Sequence, residues 1–514
     1  DSQKVKKNYI FFAIRGVNDD GNDYIPEAIK KGAKIIISDQ KNIKKLNKVI
    51  FLYSSNVRKL LAEFSYKNLK KIKKIVAVTG TNGKSSVADF FYQILNFNLK
   101  KVASIGTLGI KSNKKKKTLT NTTLNPIHLS EILKFLKKKK IEYVIMEASS
   151  HGLHQNRLDG LMFDVGIFTN LSHDHLDYHK NMDEYLKSKL YLFENLIKKK
   201  GNIISDATIR ENKELKKISK KKNLNLKLIF DKKGIELISH RFEREKQILD
   251  IRFKNKRYNF ALNLVGKIQI KNVLMAMIAA QNCGLKFENI IKVLKKLKSV
   301  EGRLEKIGNI KNNSRVILDY AHTPEALELA LSNLREQFPE KKINLLFGCG
   351  GKRDEKKRPM MGKIAKKYSD KIYLTDDNPR NEAPSKIRED IKKGIKKIKV
   401  NEIPDRKKAI KNAINDLNTG EILLVAGKGH EKIQDYGRRK LFFSDKQIIL
   451  KSIKLKNKSL SNDLKLNIIK EESNSKISNK LKIRKISINS REVKKNDIFF
   501  AIKGKKVDGN NFVS

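Results

Sequence analysis

Short apolar, β-branched runs recur along the chain, each closed by glycine or polar residues and followed by apolar positions at helical spacing. Ile10-Phe-Phe-Ala-Ile14 and Ala33-Lys-Ile-Ile-Ile37 read as strands, with a turn at Asp20-Gly21 and a helix opening over Pro26 to Lys31. Residues 1–74 therefore predict a small α/β unit. Over 75–300, runs such as Tyr143-Val-Ile-Met146 and Val165-Gly-Ile-Phe168 alternate with helical patterns. That alternation predicts a largely parallel sheet covered on both faces. A third unit, 301–454, repeats it, with strands near Val316-Ile-Leu318, Asn344-Leu-Leu-Phe347, Lys371-Ile-Tyr-Leu374 and Ile422-Leu-Leu-Val-Ala426. It is Rossmann-like in pattern, but no G-x-G-x-x-G opens its first helix, so dinucleotide binding is not expected. Residues 455–481 are Lys, Asn and Ser with scattered Leu and Ile and predict a linker.

The start of the chain recurs at its end. Asn489 to Gly504 repeats Asp1 to Gly16 at a constant offset of 488, and Asp508-Gly-Asn510 repeats Asp20-Gly-Asn22; 14 of the 26 aligned positions are identical. Over that length and without gaps this is a repeat, so residues 482–514 are expected to be a partial second copy of the first unit.

The 514 residues accommodate about three domains. The net charge of +58, from 113 Lys+Arg against 55 Asp+Glu, would suggest a nucleic-acid or membrane partner. The lysines are spread over nearly every segment, however, and no aromatic-interleaved basic motif appears, so no nucleic-acid partner is expected. The field would still draw in nucleotides and polycarboxylates. Cys283 and Cys349 stand far apart without CxxC spacing, which fits a reducing cytoplasm. No apolar run approaches the roughly 18 residues that span a bilayer, so membrane insertion is not expected.

Chemistry concentrates after the strand that begins the second unit. Ile75-Val-Ala-Val-Thr-Gly-Thr-Asn-Gly-Lys-Ser85 runs from a strand through two glycines into Lys-Ser, the layout of a phosphate-binding loop. Gly80 and Gly83 let backbone N–H groups face an anion, Lys84 reaches the terminal phosphates, and the Ser85 hydroxyl suits Mg²⁺. Val78 stands where the general pattern wants its first glycine. Glu147 and His175 follow strand ends and are candidate Mg²⁺ ligands beside that loop.

The shortened loop, Asn121-Thr-Thr123, Glu147-Ala-Ser-Ser-His-Gly152, Thr169 to His179, Glu301-Gly-Arg303, Asp319 to Pro324, Gly348 to Asp354 and Asp377-Asn-Pro-Arg380 occur in the order of the Mur ligase family, which the chain resembles over residues 1 to about 454. The resemblance implies a three-domain α/β architecture: a UDP-muramoyl-binding domain at 1–74, a central ATP-binding ligase domain at 75–300 and an amino-acid-binding domain at 301–454. It implies ATP and Mg²⁺ as cofactors, with UDP-N-acetylmuramoyl-dipeptide and meso-diaminopimelate as substrates. Gly80, Thr81, Asn82, Gly83, Lys84, Ser85, Ser86, Asn272, Arg303, Asp319 and His322 would hold ATP. Ser2, Thr122, Thr123, Ser149, Gln155 and Arg157 would hold the muramoyl peptide. Lys189, ten residues after His179, would be carbamylated and serve as a metal ligand with Ser85, Glu147 and His175. The family usually carries Arg where Gln3 stands and Phe-Asn where Ile268-Gln269 stand.

Arg303 has a rationale of its own, since a guanidinium supplied from the third unit would stabilise charge on a transferring phosphoryl group. Asp377, Asn378, Arg380, Arg353, Gly427 and Glu431 would form the diaminopimelate site, Arg380 gripping the distal carboxylate, Arg353 near the same end, and Asn378 and Glu431 taking the ammonium. The catalytic set is then Lys84, Lys189, His175 and Arg303. By the same resemblance the second copy would open a further ligase of the superfamily, the D-alanyl-D-alanine-adding type, fused at the C-terminus. The alternatives are the L-lysine-adding ligase, a folylpolyglutamate synthetase and, outside these enzymes, a basic nucleic-acid-binding NTPase.

Overall fold

The computed structural model describes residues 2–16, 19–41, 49–112, 115–119, 121–176, 178–352, 354–395, 399–473, 486–502 and 509–513. Contacts divide the chain into two units, Asp1–Arg303 and Leu304–Ser514. The division falls after Arg303, which the sequence alone assigns to the third unit.

In the first unit, residues near the N-terminus form a parallel sheet of Tyr9–Phe12, Ala33–Ser38 and Ile50–Tyr53, in that order. Asp20-Gly21 opens a 3₁₀ turn, Gly21–Tyr24, in which the Asp20 carboxylate accepts the Asn22 N–H at 2.9 Å. Phe11, Ala28 and Ile36 fill the small core.

The larger sheet of this unit has eleven strands among the described residues. Lys74–Thr79 sits between Tyr143–Glu147 and Phe163–Phe168, all parallel. Val102–Gly106 continues the sheet on one side and Ile197–Asp206 with Asn225–Ile229 on the other. The central strands are predominantly apolar because helices cover both faces, while the exposed start of Ile197–Asp206 carries Lys199 and Lys200. Lys84–Phe97 and Ile268–Asn282 bury Phe90, Phe91, Met275 and Met277 on one face, while Leu129, Leu133 and Phe193 pack on the other. Both ends of the sheet turn antiparallel: Gly109–Ser112 and Lys115–Lys117 at one, the meander Ile235–Glu243, Lys246–Phe253, Lys256–Leu262 at the other. Burial in Ile235–Glu243 falls away after its first residue, so this edge is half-solvated, as antiparallel pairing permits.

The second unit has a six-stranded sheet in the order Glu305–Lys306, Arg315–Leu318, Ile422–Val425, Ile343–Phe347, Lys371–Leu374, Asn401–Glu402, parallel except for its first pair. Arg406 lies under it, fully buried, its guanidinium donating to both oxygens of the equally buried Asp445 at 2.9 and 2.7 Å and to the Ala426 carbonyl at 2.9 Å.

The expected linker begins differently. Residues 455–473 are the second half of a helix, Asp445–Ser473, whose sequence contains neither Gly nor Pro and favours helix once its first turns dock. Ile449 and Ile453 enter the core, and Lys456 donates to the Asn415 and Leu417 carbonyls at 2.8 and 2.7 Å, closing the end of helix Arg406–Asn415.

The repeat is structural as well as sequential. The 3₁₀ turns Ser490–Glu492 and Gly509–Phe512 recur 488 residues after Ser2–Lys4 and Gly21–Tyr24, and the left-handed Asn496 (φ 70°) recurs after Asn8 (φ 67°). No helix among the described residues is long and apolar enough to cross a membrane.

Removing one partner of the Arg406–Asp445 pair leaves a buried charge uncompensated. Asp445→Ala should therefore lower the unfolding free energy by about 3–5 kcal/mol, whereas Arg406→Met combined with Asp445→Leu should lose far less. Denaturant unfolding followed by circular dichroism measures both, and equal losses would contradict this account.

Candidate active site

The phosphate loop leaves Lys74–Thr79 at its C-terminal end, the edge where the neighbouring strands also deliver Thr107, Glu147 and Thr169. Gly80 has φ 143°, and a Cβ there would overlap the Thr169 hydroxyl, so the tight exit requires glycine. The loop is held from across the sheet: Asn82 N–H donates to Asn170 Oδ1 at 2.9 Å, and Thr169 Oγ1 donates to the Asn82 carbonyl at 2.6 Å. Gly83 caps the helix Lys84–Phe97, which buries Ser85 and Ser86 in its first turn. Asn272 lies against Gly83 and donates to Gln269 Oε1 at 3.0 Å, and Gln269 Nε2 donates to the Arg303 carbonyl at 3.3 Å.

Lys84 Nζ donates to the Gly80 and Thr81 carbonyls, both at 2.7 Å, which curls the side chain back over its own loop. Burial pushes its ammonium below the ordinary lysine range; Glu147 and Asp174 pull the other way, and the Arg303 guanidinium adds to the depression.

Glu147 is the knot of the site. Its carboxylate accepts Ser85 Oγ at 3.0 Å, the Thr107 N–H at 2.9 Å and Thr107 Oγ1 at 3.0 Å, and it lies where a Cβ on Gly106 would be. Ser85 and Glu147 are thus in hydrogen-bond contact beside Lys84, a hydroxyl and a carboxylate of the kind Mg²⁺ takes together with substrate phosphates. Among the described residues no group of three or more His, Cys, Asp or Glu has metal-holding geometry.

The residues expected to hold the muramoyl peptide form one network leading away from this knot. Thr107 Oγ1 meets Thr122 Oγ1 at 3.0 Å, and Thr123 Oγ1 donates to the Glu147 carbonyl at 3.0 Å. Thr123 Oγ1 in turn accepts the Ser149 N–H and hydroxyl at 2.9 and 3.0 Å. Arg157 donates to the Thr123 carbonyl at 2.6 Å and to Gln155 Oε1 at 2.6 and 3.1 Å. Ser2 is not part of this network; its buried hydroxyl donates to Glu27 Oε2 at 2.6 Å in the N-terminal sheet domain.

His175, with φ 56°, pairs with Asp174 at 3.6 Å, and its ring meets His151 and Tyr185 edge-on at 5.0 and 6.0 Å. Lys189 is 1% exposed, its ammonium 4.2 Å from the centroid of the Tyr185 ring, and the Tyr185 hydroxyl meets Thr81 Oγ1 at 3.1 Å. Burial, reinforced by the nearby Lys84 charge, drives the Lys189 amine well below the ordinary lysine range, which favours a neutral, reactive nitrogen. Thr107, Asp174 and Tyr185 were not singled out by sequence. Asp174 lies inside the Thr169 to His179 motif and Tyr185 opens the stretch that ends at Lys189, whereas Thr107 carries no local signal.

In the second unit the expected amino-acid residues come from two strand ends, after Lys371–Leu374 and after Ile422–Val425, with Ile343–Phe347 between them in the sheet. Asn378 Nδ2 donates to Glu431 Oε2 at 3.1 Å, and Tyr320 Oη donates to Glu431 Oε1 at 3.2 Å. Asp377 is buried against Gly427, and burial raises its carboxyl despite the Arg406 and Lys428 charges. Arg380, with φ 54°, donates one guanidinium N–H to the Gly351 carbonyl at 2.7 Å. The Asp319 carboxylate accepts the Leu304 and Ala321 N–H groups at 2.7 and 2.8 Å, and His322 Nδ1 contacts the Tyr320 carbonyl at 2.8 Å. Arg353 lies outside the described residues. Lys428 is fully buried among these groups, which nothing in a sequence so rich in lysine signals.

A twisted parallel sheet with a phosphate loop, followed by a second α/β unit with its own cluster of polar residues at the strand ends, defines a nucleotide-using transferase or ligase. The comparisons narrow this. Three family models match: the Mur ligase middle domain over 78–280, the Mur ligase glutamate ligase domain over 302–429, and the Mur ligase family catalytic domain over both 1–76 and 482–514. A protein of Rickettsia conorii named UDP-N-acetylmuramoyl-L-alanyl-D-glutamate--2,6-diaminopimelate ligase is 41% identical over 461 residues, covering 88% of this chain and 95% of that one. A solved structure of a ligase of that name matches with TM-score 0.65 and 27% identity, covering 88% of this chain and 94% of that one. The MurF ligase of Thermotoga maritima in complex with ADP has the same fold, with TM-score 0.61 and 19% identity over 89% and 96% of the two chains. The chain belongs to the Mur ligase family, whose members are ATP-dependent, ADP-forming amide ligases of peptidoglycan precursor synthesis.

Gly106→Ala would drive the new methyl group into the Glu147 carboxylate and break its contact with Ser85. ADP formation should fall by at least about tenfold, with a stability loss of about 1–3 kcal/mol. Steady-state phosphate release and thermal unfolding on the same preparation read the two effects, and unchanged turnover would show that the knot tolerates displacement.

Proposed function

We propose that this ligase joins meso-diaminopimelate to UDP-N-acetylmuramoyl-L-alanyl-D-glutamate. The D-glutamyl γ-carboxylate attacks the γ-phosphorus of ATP, ADP leaves, and an acyl phosphate forms. The amine of the incoming amino acid then attacks the acyl carbon, releasing inorganic phosphate as the amide forms and the amine loses a proton. The loop backbone from Gly80 to Ser86 would cradle the phosphates, with Lys84 neutralising the transferred group and Asn272 beside the nucleotide. Arg303, Asp319 and His322 would complete the nucleotide contacts. Thr122, Thr123, Ser149, Gln155 and Arg157, already linked by hydrogen bonds, would orient the muramoyl peptide, with Ser2 at its uridine end.

Ser85 and Glu147 would hold Mg²⁺, which supplies charge neutralisation of the phosphates. His175 and the carbamate of Lys189 would serve a further metal position. The depressed amine of Lys189 supports that reading, since only a neutral amine adds CO₂.

The observation that carries the choice of amino acid is a pair of opposite charges at strand ends of the second unit: the Arg380 guanidinium after Lys371–Leu374, and the Glu431 carboxylate, held by Asn378, after Ile422–Val425. Meso-diaminopimelate differs from lysine by a carboxylate beside its distal amine, and that end is a zwitterion matched by this pair of opposite charges. Lysine would leave the arginine unpaired, and a missing partner of this kind can be worth about 10⁴-fold in selectivity. The second partial copy supports a reading in which a further ligase of the same superfamily begins at about residue 482.

Phosphate release in the presence of UDP-N-acetylmuramoyl-L-alanyl-D-glutamate should be strong with meso-diaminopimelate and near background with L-lysine, and Arg380→Ala should lose most of the difference. Equal rates with the two amino acids would favour the lysine-adding alternative. Lys189→Ala should be nearly inactive and partly restored by acetate or another small acid, because the missing element is an anion; no rescue, together with no CO₂ adduct by mass spectrometry on the unmutated protein, would remove the carbamate from the scheme.

A further inference from the structure

Lys428 stands between two of the residues assigned above to the amino-acid site, and its ammonium has three acceptors. It donates to Asn378 Oδ1 at 2.9 Å, to Glu431 Oε2 at 3.2 Å and to the Ile433 carbonyl at 2.7 Å, and the side chain is fully buried. An ammonium has three N–H groups, so this geometry uses all of them. Asn378 Oδ1 also accepts the Asp435 N–H at 2.9 Å, which fills both of its lone pairs. The amide of Asn378 is thereby fixed with its oxygen already occupied by two donors and its nitrogen donating to Glu431.

We infer that Lys428 is a positioning residue of the amino-acid site, locking Asn378 and Oε2 of Glu431 so that the remaining lone pair, on Oε1 beside the Tyr320 hydroxyl, forms the acceptor for the distal ammonium of the substrate. This rests on the reading of Asn378 and Glu431 as the ammonium end of the pocket and deepens it: Asn378 orients, and Glu431 receives. The charge balance supports the assignment. Burial alone would lift the Glu431 carboxyl, but the Lys428 charge and the hydrogen bonds from Asn378, Lys428 and Tyr320 outweigh it and hold the group below the usual carboxylate range. The other charged groups facing Glu431 are Asp377 from the end of Lys371–Leu374 and Arg406 from helix Arg406–Asn415, which carry opposite charges. Lys428 is the cation in direct contact.

The test is Lys428→Met, a change that keeps most of the side-chain volume and removes the charge. With the unmutated enzyme active on meso-diaminopimelate, the variant should raise the KM for that amino acid by at least about tenfold while the KM values for ATP and the UDP-linked dipeptide move less than about threefold. The acid limb of kcat/KM for the amino acid should also move to higher pH. The sign follows from Glu431: without its cation the folded-state pKa rises, so the carboxylate is lost sooner as pH falls. Adding Glu431→Gln to the variant should remove that limb. A uniform change in all three KM values, or an unmoved acid limb, would overturn the proposal. Should Lys428→Met not fold, Lys428→Arg decides: a planar fork keeps the charge but cannot reach the same three oxygens, so the amino-acid KM should still rise with the acid limb in place, and an unchanged KM would overturn the fixed orientation. Failure of the unmutated enzyme to turn over meso-diaminopimelate would instead count against the substrate assignment, independently of Lys428.

Discussion

A buried carboxylate must be fully partnered or it will not stay charged, and the first unit is arranged around one that is. Glu147 ends its strand 3% exposed, and its oxygens are met by the Ser85 hydroxyl, the Thr107 N–H and the Thr107 hydroxyl. Those partners come from two places in the chain, the first turn after the phosphate loop and the end of Val102–Gly106, and they meet on a third, the strand that carries Glu147. Meeting the demand fixes the relative position of loop and sheet to within a hydrogen bond. The glycine at 106 follows from the same demand, since any side chain there would occupy the carboxylate's place. From Thr107 and Thr123 the network runs on to Ser149 and Arg157, so the geometry that fixes the loop also fixes the residues proposed to hold the peptide.

The sequence conveys the sheets well because fully buried parallel strands must be apolar along their whole length. Lys371–Leu374 appears with the expected ends, and Tyr143–Glu147, Phe163–Phe168 and Ile343–Phe347 within two residues of them. The meander at the far edge is harder to read. Its strands carry Lys, Arg and Glu between apolar residues, and period-two alternation is weak when one face is only half-covered. The helix Asp445–Ser473 is missed for a different reason. Its composition is that of a solvated linker, and the few residues that dock it, Ile449, Ile453 and Lys456, are separated by lysines.

Lysine is the residue for which the sequence is least informative, because 113 basic residues make any one of them look like surface. Burial sorts them. Lys84 is curled over the loop carbonyls, Lys428 is surrounded by three oxygens, and Lys456 closes a helix end. Each pairs its charge with backbone or side-chain oxygens, which is what allows an ammonium to leave water. Lys428 directly follows Gly427 in the sequence, but its contacts with Asn378, Glu431 and the Ile433 carbonyl are what distinguish it from other lysines.

Lys189 departs from that rule. The contact that defines its place is the face of the Tyr185 ring, and the Lys84 charge is near enough to work against it. An aromatic face compensates an ammonium by only about 0.5–2 kcal/mol, well short of the cost of full burial beside a like charge. The consequence is an amine that sheds its proton readily. In the proposed carbamate, that nitrogen would bear a carboxylate whose single negative charge is shared by two oxygens, and the repulsion from Lys84 would become attraction. A site that is poor for an ammonium would thereby suit the modified side chain, and Lys189 lies over the Tyr185 ring, which touches both Thr81 of the loop and His175.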